Sequence, residues 1–204
     1  MIEDYNPIEK VPAENCDFLP KNWFSDSSVT VTKDYCDIDE FEEHTTWSVQ
    51  NFLEQDTYRQ PSYADSSIEQ RAEYMIDFHN NFCELSGYSD NLNFSDKMKP
   101  YNYGEFDPVT KKIELNVDLL RDKNPRQVME TIMHETRHAY QDFAINHPDK
   151  VSVDQKTIQE WKYNFDHYIP GELDFEAYYY QPVEADANDF AERMYEKGLS
   201  NVNS

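Results

Sequence analysis

Cysteine, cationic side chains and long apolar runs are all scarce in this chain, and each scarcity excludes something. Cys16, Cys36 and Cys83 are odd in number and widely spaced, with no C-x-x-C pair. Neither a disulfide framework nor a thiolate zinc site is therefore expected, and Cys83, inside an apolar helical pattern, reads as a buried thiol. No apolar run approaches the roughly 20 residues that a membrane-spanning helix needs. The opening MIEDYNPIEK lacks the basic and apolar regions of a signal peptide. A cytoplasmic location is the default expectation, with export by a signal-independent route left open. Eighteen Lys and Arg face 41 Asp and Glu, a formal net charge of −23. Such a chain repels phosphate backbones and anionic lipid headgroups, which disfavours nucleic acid and membrane partners. It attracts a basic peptide or protein, although a heavily solvated surface is the plainer consequence.

Aromatic rings are plentiful. Fifteen Tyr and 12 Phe sit in 204 residues whose overall hydrophobic share is 38%, so rings must supply much of a single buried core. Apolar spacing predicts helices over residues 39–55, 66–85, 124–146, 152–168 and 182–197. Ser67-Ile68-Glu69-Gln70 has the form of a capping box at the start of the second, Asn124-Pro125 opens the third, and Gly198 should stop the last. A hairpin is expected over 101–117, turning at Asp107-Pro108-Val109-Thr110, after a polar loop over 87–100. Residues 28–32 alternate like a short strand. The expected organisation is an irregular arm over 1–38 and one α+β domain over 39–204, mainly helical, with a small sheet beside the third helix.

That third helix carries His134-Glu135-Thr136-Arg137-His138. Residues four apart share a helix face, so the two imidazoles can grip one ion while Glu135 lies beside it. Two His ligands plus a carboxylate base are the working parts of zinc peptidases. Met129, Ile132, Met133, Ala139, Tyr140 and Phe143 supply the apolar side of the same helix.

A catalytic zinc needs a third protein ligand and one open position. Asp142 lies one turn beyond His138, but a third ligand from one straight helix closes a tetrahedron poorly. His147 is at the helix end. The metzincin continuation is missing, because positions 141 and 144 hold Gln and Ala. Glu184 is the better candidate, since a second helix crossing the first can present it to the histidine pair and His₂Glu is a common catalytic set. As an acid in a first helical turn it would also favour the helix dipole. Around it, Asp186, Asn188 and Asp189 are near enough to hold imidazole tautomers. His167, Tyr178, Tyr179 and Tyr180 are candidate oxyanion donors with none preferred, and Arg137 should pair with an acid.

The pair of motifs, His134-Glu135-x-x-His138 and Glu184-x-x-Ala187-Asn188-x-Phe190-Ala191, resembles the zincin metallopeptidases of the gluzincin type. The second motif is similar to that of the ImmA/IrrE-like peptidases. The resemblance spans about residues 112–197. It implies a zincin-like domain with Zn²⁺ on His134, His138 and Glu184, Glu135 as general base, and a peptide or protein substrate. In a zincin an edge strand runs beside the substrate, and the strand over 112–117 fits that place. Two other functions stay open: a catalytically idle zincin-fold module that binds a basic partner, and a zinc hydrolase of non-peptide amides.

Overall fold

Residues 38–86 and 91–203 are described by a computed structural model. The arm expected over 1–38 lies outside the described residues apart from Ile38, as does the strand expected over 28–32. Helix α1 runs over Ile38–Asp56 and α2 over Ile68–Ser86. Three strands follow, β1 Asn91–Ser95, β2 Gly104–Asp107 and β3 Lys112–Asn116. Then come α3 Arg126–Asn146, α4 Gln155–Asp166, the short α5 Phe175–Tyr180, and α6 Pro182–Val202. The fold is α+β and mainly helical, and among the described residues no helix is long and apolar enough to cross a membrane.

Local chemistry explains where the elements start. Ser67 and Gln70 make the reciprocal capping box, Oγ accepting from the Gln70 amide at 3.3 Å and Oε1 from the Ser67 amide at 3.1 Å. Asn124 Oδ1 accepts the Arg126 amide at 3.0 Å, so α3 begins one residue beyond Pro125. Asp154 takes the Lys156 and Thr157 amides, which delays α4 relative to the expected start at 152. Asp107 takes the Val109 and Thr110 amides in the β2–β3 turn.

Three expectations are corrected. The polar stretch over 87–100 contains β1, where buried Leu92 and Phe94 alternate with Asn91 and Asn93. It pairs in parallel with β3, a partner distant in sequence that local composition does not reveal. The sheet order is β1-β3-β2, so the strand over 112–117 is central and not an edge, and β1 and β2 are the edges. Finally, α6 runs through Gly198. A Cβ there would lie 2.5 Å from Val49 Cγ1, so the glycine lets α6 cross close to α1 and is no stop signal.

The core is knotted by rings. Phe41 of α1 stacks between Tyr140 of α3 at 5.0 Å and Phe190 of α6 at 5.3 Å, and meets Phe82 of α2 edge-on. Trp47 of α1 is half exposed. Because Phe41 joins four helices, Phe41→Ala is expected to lower the unfolding free energy by about 3–5 kcal/mol, read from denaturant midpoints. A loss below about 1 kcal/mol would contradict this packing role.

Candidate metal centre

The middle of α3 is pinned by its apolar side, where Val128, Met129, Ile132, Met133 and Tyr140 are fully buried. This turns His134 and His138 towards the start of α6. Their Nε2 atoms stand 3.0 Å apart with the rings nearly perpendicular. The first turn of α6 is anchored to α4, because the Val183 amide donates to Asn164 Oδ1 at 3.0 Å and Asn164 Nδ2 donates to Gln181 Oε1 at 2.9 Å. Glu184 is thereby carried over the histidine pair, with Oε2 3.2 Å from His134 Nε2 and Oε1 3.4 Å from His138 Nε2.

These separations can be tested against an ion. Ligand atoms bonded at about 2.0–2.1 Å along tetrahedral directions stand about 3.3–3.4 Å apart. The two imidazole nitrogens are 3.0 Å apart, and each has its own Glu184 oxygen nearby, Oε2 at 3.2 Å from His134 and Oε1 at 3.4 Å from His138, spacings of the size an ion would require. Glu184 is 1% exposed, and its Oε2 is buried without accepting a hydrogen bond. A buried carboxylate whose two oxygens each face an imidazole nitrogen is suited to a cation. Among the described residues, His134, His138 and Glu184 are the group whose ligand atoms lie within 4.8 Å of one another. Asp142 and His147 do not join them. Asp142 pairs with Lys111 and accepts from Asn146, and His147 packs its ring on Phe143.

Glu135 is buried beside this group without belonging to it. Its carboxylate lies against Gly104 of β2. A Cβ at that position would sit 2.8 Å from Glu135 Cγ and 2.9 Å from Oε1, so only glycine leaves room. Burial pushes the Glu135 pKa above the usual carboxylate range. The charges of His134 and His138 oppose that rise, and those of Glu184 and Glu105 add to it.

The remaining sequence candidates sort clearly. Arg137 makes its expected ion pair, with Asp186, Nε to Oδ2 at 2.8 Å and Nη2 to Oδ1 at 3.0 Å. Asp186 does not reach an imidazole. It accepts from Gln141 Nε2 at 2.7 Å, and Gln141 Oε1 meets His138 Nδ1 at 2.9 Å. Asp189 pairs with Arg193 instead. Of the four oxyanion candidates, His167 stacks on Tyr163, and Tyr179 and Tyr180 are turned to solvent. Tyr178 does approach Glu184.

Two participants escaped sequence reasoning. Tyr168 donates its hydroxyl to Glu184 Oε1 at 2.6 Å and lies edge-on to Tyr178. Burial first, and then the Glu184 charge, push both phenols upward, which keeps them as O–H donors. One tyrosine among 15 carries no positional signal. Gln141 was noticed only as a departure from another motif, although its place three residues after His138 put it on the same side of the helix.

No protein-family model, no curated protein and no solved structure matches this chain.

Charge coupling gives a pH signature. Burial alone would lower the His138 pKa, but hydrogen bonding to and attraction by Glu184, with Glu135 and Gln141 adding, raise it from 6.5 to about 9. Below pH 6.5 folded and unfolded chains both carry this proton, and the attraction contributes in full. The contribution is lost as pH rises through about 9, while a zinc ion held here, which would have to displace the proton, would bind more tightly. The gap between Tm with zinc and Tm with chelator is therefore expected to widen from pH 6.5 to 9. A pH-independent gap would contradict the coupling.

Proposed function

We propose that this chain is a zinc-dependent metallopeptidase of the zincin class, with a gluzincin-type ligand set and a likeness to the ImmA/IrrE-like peptidases. The observation that carries the reading is the convergence of His134, His138 and Glu184 with Glu135 buried beside them and outside the ligand group. Zinc held by those three residues would act as a Lewis acid on a carbonyl and on water.

The chain's own groups supply the rest. Glu135 is the general base: its raised pKa suits it to accept a proton from water and return it to the leaving amine. Gly104 holds that carboxylate in one place by leaving it a fitted space. Tyr168 and Tyr178 stay protonated against Glu184 and are the phenolic donors available to charge developing at this site. The edge strand β2 passes Glu135 at Gly104, and its unpaired backbone groups suit an extended peptide. The net charge of −23 favours a basic one. A catalytically idle module would have no use for an enclosed base at this position, which sets that reading second.

A peptide library separates these readings. Glu135→Gln is expected to keep zinc and lose cleavage by about 10²–10⁴-fold, whereas Glu184→Gln is expected to lose the metal as well. Cleavage that survives Glu135→Gln, or zinc-loaded protein that cuts nothing in the library, would overturn the proposal. Gly104→Val should retain stoichiometric zinc but lose cleavage, because its side chain displaces Glu135. Unimpaired cleavage in that variant would contradict the fitted placement of the base.

A further inference from the structure

We infer that Gln141 is a positioning residue: its amide, oriented by Asp186, Arg137 and the Val183 carbonyl, fixes His138 in the Nδ1–H tautomer and so directs the Nε2 lone pair at the ligand group. The inference rests on the metal reading of the site, and its logic is one of donors and acceptors.

An amide side chain can face either way, and an imidazole can carry its proton on either nitrogen. Gln141 is fully buried and has three polar neighbours. Two of them can only accept: the Val183 carbonyl oxygen at 3.0 Å and the Asp186 carboxylate at 2.7 Å, both opposite Gln141 Nε2. The amide NH₂ is committed to those acceptors, one proton each. That leaves Oε1 facing His138 Nδ1 at 2.9 Å. A carbonyl oxygen accepts, so Nδ1 must be the nitrogen bearing hydrogen. Flipping the amide would set an oxygen against two acceptors in a fully buried place.

The clamp holds because its far end is rigid. Arg137 is 2% exposed and grips Asp186 with two parallel N–H donors. Its guanidinium lies 5.0 Å from the ring centres of Tyr140 and Phe190 and 5.4 Å from that of Trp161. Three rings and one carboxylate therefore fix the arginine, the arginine fixes Asp186, and Asp186 with Val183 fixes Gln141. Val183 adjoins Glu184, so one glutamine ties the third ligand's backbone to the second ligand's tautomer. Metal ligands of this kind gain their orientation from the hydrogen bond on the other ring nitrogen, and loss of such a partner typically weakens metal binding 10–100-fold.

The test is a zinc competition titration on the whole chain, with ¹H–¹⁵N spectra of the zinc-loaded histidine rings. Gln141→Met keeps the volume, removes the acceptor, and leaves the Arg137–Asp186 pair in place. It is expected to weaken zinc 10–100-fold and to abolish the slowly exchanging His138 Nδ1–H resonance. Asp186→Asn offers an amide where the carboxylate stood and should give the same direction of change; it serves if the methionine variant does not fold. Variants that lose thermal stability yet keep zinc affinity and the Nδ1–H signal would overturn the inference in favour of simple packing. If the unaltered chain takes up no zinc in the same titration, the metal reading itself falls. Zinc bound equally by the unaltered chain and both variants overturns the positioning role alone.

Discussion

A carboxylate that is 1% exposed needs positive charge beside it, and the fold is organised around meeting that need for Glu184. The desolvation penalty for such an ion is several kcal/mol, and the groups facing it are two imidazole nitrogens and a tyrosine hydroxyl. Without metal, His138 keeps a proton to the edge of the alkaline range and supplies the charge itself. A divalent cation would supply more charge at the same spot and would displace that proton. On the proposed reading, proton and metal are alternative counterions for one buried acid. Everything that sets Glu184 above the histidine pair, from Asn164 gripping the start of α6 to Phe41 wedged between α3 and α6, serves this placement.

Charge of the opposite sign is handled differently. The cations on the helices are largely spent on local pairs: Arg193 on Glu42 and Asp189, and Arg126 on Glu130 and Glu196. Arg137 is enclosed and spent on Asp186. The net charge of −23 would raise the local concentration of cations at the protein and make association with any basic partner salt-dependent.

Much of the site was legible in the residues because its chemistry is local. Four-residue spacing on an apolar-backed helix is enough to pair His134 with His138, and the boundaries of α1 and α2 fall close to expectation because capping and periodicity are short-range. Glu184 needed a second motif, since a residue brought in from another helix depends on how α6 crosses α3. Non-local contacts were the failures. β1 is held by a parallel partner across an intervening hairpin, and its asparagines mask two buried apolar residues. Gly104 looks like hairpin filler until the Glu135 carboxylate is found against it. Gly198 looks like a stop until Val49 is found against it. Tyr168 bonds a partner on another element, and although Gln141 shares a helix side with His138, the Val183 and Asp186 acceptors that orient it lie on α6, which the periodicity of α3 does not encode.

The central claim is that His134, His138 and Glu184 together hold a zinc ion with a position left open. Zinc K-edge X-ray absorption on the zinc-loaded chain tests it most directly, because it counts imidazoles, distinguishes oxygen from sulfur and measures the bond lengths. The account predicts one zinc per chain bound by two imidazoles and oxygen ligands at about 2.0–2.2 Å, without sulfur. A spectrum showing sulfur or a different imidazole count, or one unchanged by Glu184→Gln, would contradict it.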